Sequence, residues 1–189
     1  MKTAYRILIP LLLAAAVMAG CKAREVTIMK YRYTPLIEAT KYAAYKDVPV
    51  LIEYVTNRAN DTVMFGYRDP KRRIWYMTDS LLEQYVKYSL EKALRHAGMK
   101  VNSTWVTADD FHLRIELYSM TAQHVAFHLA VLQNGTEKYS TEIEAVVTPA
   151  PAEWKSDEEL QRYAFTLMDA MAASILQDKG VETTMGRRN

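Results

Sequence analysis

Cysteine is almost absent from this chain, because Cys21 is the only one among 189 residues. A single cysteine excludes an internal disulfide. Glycine is also scarce, with six in the chain, and none forms the glycine-rich loop of phosphate-binding proteins. No serine stands in the glycine-flanked turn that exposes the nucleophile of many hydrolases. These absences predict a protein that is not an enzyme and has no cofactor.

Long hydrophobic runs are missing as well. The apolar stretch from Ile7 to Met18 is too short to span a bilayer comfortably. Lys2 and Arg6 precede it and small residues follow it, which is the order of a secretory signal peptide. The four residues Met18-Ala19-Gly20-Cys21 resemble the bacterial lipobox. That resemblance implies lipid attachment to the Cys21 sulfur, removal of residues 1–20, and acylation of the new amino terminus.

Lipid attachment at Cys21 would hold the chain on a membrane, because three acyl chains exceed the two signals that stable anchoring needs. By resemblance to lipoprotein sorting in enteric bacteria, Lys22 in place of an aspartate implies transfer to the outer membrane. The domain would then face the periplasm, which is an oxidising space. We therefore predict a lipid-anchored protein on the periplasmic face of the outer membrane of a Gram-negative bacterium.

Neither sign of charge is in excess after residue 20. The full chain has 24 basic and 22 acidic residues, and removing Lys2 and Arg6 leaves 22 of each. A neutral chain has no broad positive surface for nucleic acid. We predict no nucleic-acid partner.

One local basic run, from Arg68 to Arg73, is interrupted by Asp69-Pro70. Aspartate followed by proline is typical of a turn, and a turn is the simpler interpretation. The alternative is contact with anionic lipid headgroups, where each basic residue contributes about 1 kcal/mol. Charge reversal at Arg72 and Arg73 would test this alternative by vesicle binding.

The residues after the signal peptide divide into three parts. We predict a lipidated cysteine and N-terminal tether over 21–48, a periplasmic domain over 49–180, and a C-terminal tail over 181–189. Within the domain, β-branched runs at Val50 to Val55 and Thr62 to Phe65 predict a hairpin or two successive strands.

Two amphipathic helices are predicted, each opened by a capping box. The first begins at Ser80 with Glu83 as the reciprocal partner and ends at Gly98. The second begins at Ser156 with Glu159 as the partner and ends at Gly180. Three strands with alternating apolar residues lie between them, and Asn134-Gly135 predicts the tight turn of the last hairpin. We predict an α+β two-layer sandwich, with a mainly antiparallel sheet and two helices on one face.

Several short segments carry a resemblance to a known family. They are Val50-Leu51-Ile52-Glu53, the stretch from Asn57-Arg58 to Phe65-Gly66, and Ala97-Gly98-Met99 at the end of the first helix. In this order, together with the lipobox, they resemble the YajG-like bacterial lipoproteins. A weaker resemblance is to the PqiC-like auxiliary lipoproteins of ABC transport systems. Neither family implies catalytic residues, and both imply an envelope lipoprotein that binds a partner or ligand.

Histidines on two neighbouring strands are the candidate metal ligands. A turn through Ser119 to Thr121 would place His112 opposite His128 and Glu116 opposite His124. Imidazole and carboxylate groups suit zinc or copper. The two pairs would lie about 13 Å apart along the strand, which is too far for one mononuclear site. We therefore predict no metal site here.

Two acidic clusters, Asp109-Asp110 and Asp157-Glu158-Glu159, stand where a strand and a helix begin. Carboxylates at these places cap backbone amides and suit the helix dipole. We interpret both clusters as caps. A general acid and base pair would instead need two contrasting environments in one cleft.

Tyrosine is abundant, with 13 in the chain beside three tryptophans. Both residue types are favoured at interfaces that are apolar on one side and wet on the other. If they share one exposed surface, a protein or glycan partner is indicated. The residues in question are Tyr31, Tyr33, Tyr54, Tyr67, Trp75 and Tyr76.

These observations predict a non-catalytic binding or assembly module, anchored to the membrane through Cys21, with an envelope protein or a lipid as its partner. The first alternative is an auxiliary subunit of a lipid or ABC-type envelope transport system, which a large apolar cavity would favour. The second alternative is a hydrolase, which a histidine and a carboxylate converging in one cleft would favour.

Overall fold

The computed structural model describes residues 23–69, 71, 73–102, 107, 109–148 and 156–186. Within them the chain forms nine strands and three α-helices, in the α+β class that the sequence predicts. The strands are β1 (Arg24–Ile28), β2 (Pro49–Asn57), β3 (Thr62–Val63), β4 (Gly66–Asp69), β5 (Ile74–Thr78), β6 (Lys100–Val101), β7 (Phe111–Met120), β8 (His124–Gln133) and β9 (Thr136–Val146). The helices are α1 (Leu82–His96), α2 (Asp157–Gln177) and α3 (Lys179–Met185). Two 3-10 segments, Lys30–Arg32 and Ala39–Tyr45, lie between β1 and β2.

The strands form two mixed sheets where the sequence predicts one mainly antiparallel sheet. The five-stranded sheet has the order β6-β2-β7-β8-β9, and the four-stranded sheet has the order β1-β5-β4-β3. The antiparallel arrangement of β7, β8 and β9 is confirmed. Asn134 and Gly135 form the turn between β8 and β9, with φ of 53° and 69°. The parallel pairs are β2 with β6 and β7, and β1 with β5.

Of the two alternatives predicted for Val50–Val55 and Thr62–Phe65, the hairpin is wrong, and the two successive strands are present as β2 and β3. β2 lies between β6 and β7, and β3 pairs with β4. Val50, Ile52 and Val55 in β2 are buried, as expected for a central strand that is covered by a helix. The polar residues after β2 form a turn in either topology. Their composition therefore does not indicate which partner the strand takes.

The helices cover one face of the five-stranded sheet. Helix α1 packs on β2 and β6, and α2 packs on β8 and β9. The apolar set of β8 that faces the helices is almost fully buried, whereas His124, Ala126 and His128 of the alternating set are half-buried. The second face of this sheet is therefore the more open one, which agrees with the predicted two-layer arrangement.

The described part of the predicted tether is folded into the domain. Val26 and Ile28 of β1 are fully buried, and the Tyr45 hydroxyl donates to the Leu176 carbonyl at 3.0 Å. The domain therefore begins by Arg24, which corrects the predicted boundary at 48. The alternating apolar residues of β1 make this burial possible, because they complete the core beneath α2.

The domain also extends beyond the predicted end at Gly180. Helix α2 ends at Gln177, and Asp178 caps the short helix α3 by accepting from the Val181 amide at 2.9 Å. Val181 is buried against the core. Gly180 lies inside α3, where a Cβ atom would overlap the Tyr139 ring. Gly180 therefore does not end a helix, and it packs closely against Tyr139.

One of the two predicted capping boxes is present. The Glu159 amide donates to the Ser156 hydroxyl at 3.1 Å, and the Ser156 amide donates to the Glu159 carboxylate at 3.1 Å. Helix α1 instead begins after Leu81, with no side-chain cap. The amide of Leu82 donates to the Met64 carbonyl at 3.0 Å. A contact from the turn between β3 and β4 thus replaces the local cap.

The end of α1 is as predicted. Gly98 has φ of 97°, a conformation that glycine adopts without strain. Its amide donates to the Arg95 carbonyl at 3.0 Å, and the Met99 amide donates to the Leu94 carbonyl at 3.1 Å. This pair of hydrogen bonds is the Schellman motif.

The two serines give a matched test of these caps. We expect Ser156→Ala to lower the free energy of unfolding by about 1 kcal/mol, because the α2 amide loses its acceptor. Ser80→Ala should leave it unchanged or raise it, because the Ser80 hydroxyl is buried with no hydrogen-bond partner among the described residues. Urea denaturation followed by circular dichroism measures both. Equal losses in the two variants would contradict this assignment.

Candidate functional site

The histidines of β7 and β8 are not paired as the sequence predicts. Glu116 lies opposite His128, and His112 lies opposite Leu132. The turn between the strands is 121–123, which is later than predicted, and a bulge between Leu117 and Ser119 shifts the register. A turn position and a bulge together set this register, and neither changes the alternation of apolar residues on which the prediction was based.

The open face of the five-stranded sheet carries a row of charges that pair with one another. Arg58 forms an ion pair with Glu116, and Arg114 forms one with Glu53. The hydrogen bond and charge of Arg114 hold the pKa of Glu53 below its ordinary value. The Arg114 guanidinium also lies 5.5 Å from the centre of the Tyr54 ring. These pairs leave a half-buried surface without a concentration of one charge.

A metal centre is not assembled on this face. His128 has Glu116 opposite it on β7 and Glu142 opposite it on β9. Nevertheless, no group of three or more potential ligands is close enough to hold an ion in the part of the chain that the structure describes. The lining of a cavity of about 250 Å³ beside His128 includes the paired residues Arg58, Arg114 and Glu116.

The acidic clusters bind neighbouring protein groups, in agreement with the prediction that they are caps. The Asp110 carboxylate accepts from the Asn102 amide group at 2.8 Å and from the Thr107 hydroxyl at 2.7 Å. Burial acts to raise the pKa of Asp110, but these hydrogen bonds outweigh it and lower the pKa. Asp157 pairs with Arg24, which joins the start of α2 to the start of β1.

The six aromatic residues do not share one exposed surface, which was the condition for a protein or glycan partner. Tyr33, Tyr67 and Tyr76 are fully buried, whereas Tyr31 and Tyr54 are exposed. Tyr67 and Tyr76 stack inside the domain with ring centres 5.4 Å apart. Half of this group therefore belongs to the core, and the group does not indicate a partner.

A groove with a mainly apolar surface runs along the first half of α2 and has a volume of about 560 Å³. We call it the α2 groove. One wall is the 32–36 segment, which follows the first 3-10 turn, and the other wall is the side of α2. Its lining residues are Arg32, Thr34, Leu36, Glu159, Arg162, Tyr163, Phe165 and Thr166.

A half-buried carboxylate holds the two walls of the α2 groove together. Asp169 accepts from the Tyr33 hydroxyl at 2.6 Å and from the Leu36 amide at 3.2 Å. The rings of Tyr33 and Phe165 pack with their centres 5.4 Å apart. Burial raises the pKa of Asp169 above its ordinary value, although both hydrogen bonds oppose the shift. The shape of the groove therefore depends on a carboxylate that is costly to ionise.

No sequence pattern indicated this groove. Its walls come from residues that are more than 120 positions apart in the chain, and their side chains match no motif. Asp169 interrupts the apolar pattern of α2. This acidic residue beside a buried helix face is the one sequence feature that could have indicated the groove.

The basic run lies at the end of the domain where the described chain begins. Lys71 and Arg73 belong to the connection between β4 and β5, as the predicted turn requires. The Arg24 amide donates to the Arg73 carbonyl at 3.1 Å. Arg72 lies outside the described residues, as do Cys21, Lys22 and the predicted signal peptide. Contact of this turn with lipid headgroups stays a prediction.

None of the helices in the described ranges is both long and apolar enough to cross a membrane.

Comparison with known proteins adds information on the fold. No family model matches the sequence, and no curated protein matches it significantly.

Solved structures that are similar to this chain include a protein from Xanthomonas campestris and an uncharacterized protein. A Xanthomonas campestris protein of the DUF330 family matches with a TM-score of 0.53 at 9% identity, covering 85% of this chain and 95% of that chain. The two proteins share a fold. A second structure, described as an uncharacterized protein, has a TM-score of 0.46 at 11% identity, with 80% and 97% of the two chains covered.

The Asp169 interaction gives a testable pH dependence. Because the pKa of Asp169 is raised, the folded state binds its proton more tightly than the unfolded state, and stability falls as pH rises above about 4. Asp169→Asn keeps an acceptor oxygen and has no proton to lose. We expect its stability relative to the wild type to increase from about pH 4 to about pH 7, measured by urea unfolding at each pH.

Asp169→Ala is the control for this experiment. It removes the acceptor from a buried tyrosine hydroxyl and should cost about 1–3 kcal/mol. A difference between Asp169→Asn and the wild type that is independent of pH would contradict the assignment.

Proposed function

We propose that this protein is an envelope lipoprotein, anchored to the outer membrane through Cys21, whose domain is a non-catalytic binding or assembly module in the periplasm. The main support is the distance between the lipobox-like motif and the fold. Arg24, the first residue of β1, comes three residues after Cys21. Three extended residues span about 10 Å, so the anchor would hold this end of the domain against the membrane surface.

The non-catalytic part of the proposal rests on how the polar side chains are used. Glu53 and Glu116 are bound by arginines, and the Asp110 carboxylate is bound by Thr107 and Asn102. Each group has a structural role that accounts for its position. Ion pairs and caps of this kind hold side chains in fixed places and leave few lone pairs for a substrate. The resemblance to YajG-like lipoproteins, which implies no catalytic residues, supports the same proposal.

Replacement of Cys21 tests the anchor. We expect the wild-type protein, expressed in a Gram-negative host with labelled palmitate, to carry the label and to stay in the outer-membrane fraction after a high-salt wash. Cys21→Ser should carry no label, because the hydroxyl replaces the sulfur that the lipid modifies. Its outer-membrane fraction should fall by at least tenfold, since each acyl methylene contributes about 0.8 kcal/mol to membrane binding.

A charge-reversal variant is the control for this fractionation. Lys71→Glu combined with Arg73→Glu alters the basic turn but keeps Cys21, and it should remain labelled and membrane-bound. An unlabelled wild-type protein in the soluble fraction would rule out the anchored function.

A second candidate function is an auxiliary subunit of a lipid or ABC-type envelope transport system. The α2 groove favours it, because an apolar groove of about 560 Å³ lies within the size range of small-ligand sites. The proposed module would bind an envelope protein or a lipid, whereas a transport auxiliary would bind a transporter subunit.

Crosslinking in intact envelopes distinguishes the two candidates. If the protein is a transport auxiliary, a transporter subunit should be recovered with the wild type at near-stoichiometric yield, as measured by mass spectrometry. Recovery should fall when Thr166→Trp fills the α2 groove. If a Cys21→Ser strain yields the same amount of transporter subunit with and without the crosslinker, the capture is nonspecific.

A further inference from the structure

We propose that the α2 groove binds one amphiphile with an anionic head, placing the apolar chain on Leu36, Tyr163 and Phe165 and the head between Arg32 and Arg162. This inference rests on the proposed envelope location, which supplies such molecules. It goes further because it names the ligand chemistry and the residues that bind it.

Leu36 supplies the exposed apolar surface of the groove. Its side chain is 76% exposed, whereas Tyr163 and Phe165, which line the groove from α2, are almost fully buried. An apolar chain laid between the two walls would remove Leu36 from water, and the burial of apolar surface favours binding.

The two arginines of the groove supply the charge complement. None of the ion pairs between described residues uses Arg32 or Arg162. Glu159 also lines the groove, where its Oε2 atom accepts from the amide and the hydroxyl of Ser156, so the charged groups of the lining sum to one positive charge. A guanidinium group matches a carboxylate or a phosphate with two parallel hydrogen bonds. The groove therefore favours an anionic head over a neutral one.

The position of the groove suits a ligand that comes from the membrane. Arg24 pairs with Asp157 at the first residue of α2, so this end of the helix lies beside the proposed anchor. The groove residues Glu159 to Thr166 follow along about 10 Å of helix. The groove therefore lies within the first three turns from the membrane end of the domain.

Photoreactive lipids test this proposal on the lipidated full chain in phosphatidylcholine nanodiscs. The probes are palmitic acid and lysophosphatidic acid with a diazirine on the acyl chain, and the neutral comparison is the monoacylglycerol with the same chain. We expect both acids to label the 32–36 segment or the 162–166 segment, as mapped by peptide mass spectrometry. Arg32→Ala combined with Arg162→Ala should reduce this label about tenfold, because two charged donors are lost.

Two further variants control for charge and folding. Arg68→Ala combined with Arg95→Ala removes the same charge from other surfaces and should keep the label. Thr166→Trp fills the groove without a change of charge and should lose the label, while circular dichroism confirms that each variant is folded.

The outcomes separate this proposal from the anchored function. Equal labelling by the monoacylglycerol, unchanged labelling of the Arg32 and Arg162 double variant, or no label at the groove would overturn it, even when fractionation shows the protein on the membrane. Labelling by palmitic acid alone supports a lipid carboxylate, and labelling by both acids supports a head of either kind.

Discussion

The packing of α2 is the constraint on which the rest of the structure depends. This helix contacts the five-stranded sheet at β8 and β9, the four-stranded sheet at β1, and both other helices. Its apolar residues from Leu160 to Leu176 are buried on more than one side. A helix that is buried in this way must have several elements around it, and these include the N-terminal segment that a composition-based analysis assigns to a tether.

The sequence predicts the fold best where local patterns decide it. The alternation in β7 and β8, the Asn134-Gly135 turn and the apolar stripe of α1 each follow from neighbouring residues, and the structure confirms them. Strand partners are a different matter. The hydrophobic pattern of β2 is the same in a hairpin as between two parallel strands, so only the packing of the whole domain selects the parallel arrangement. The two serines show the same limit, because Ser80 and Ser156 have the same local motif and only one acts as a cap.

The α2 groove was beyond sequence analysis for a related reason. Its two walls meet because Asp169 accepts hydrogen bonds from Tyr33 and Leu36, and these residues are more than 130 positions apart in the chain. Only the folded chain brings them together. The pairs predicted for His112 and His124 were wrong for a different reason. The paired residues are close in sequence, but a bulge of one residue and a later turn change which residues of β7 and β8 lie opposite each other.

The open face of the sheet and the α2 groove differ in how their arginines are paired. On the open face of the sheet, Arg58 and Arg114 are each bound by a carboxylate. Such exposed pairs contribute only about 0–1 kcal/mol each to stability, so their main effect is to leave little net charge for a ligand. At the α2 groove the arginines have no such partner within the described residues, and the neighbouring wall is apolar. A surface that combines an excess of positive charge with the exposed Leu36 side chain is complementary to an anionic amphiphile, whereas the arginines on the open face of the sheet are already bound by carboxylates.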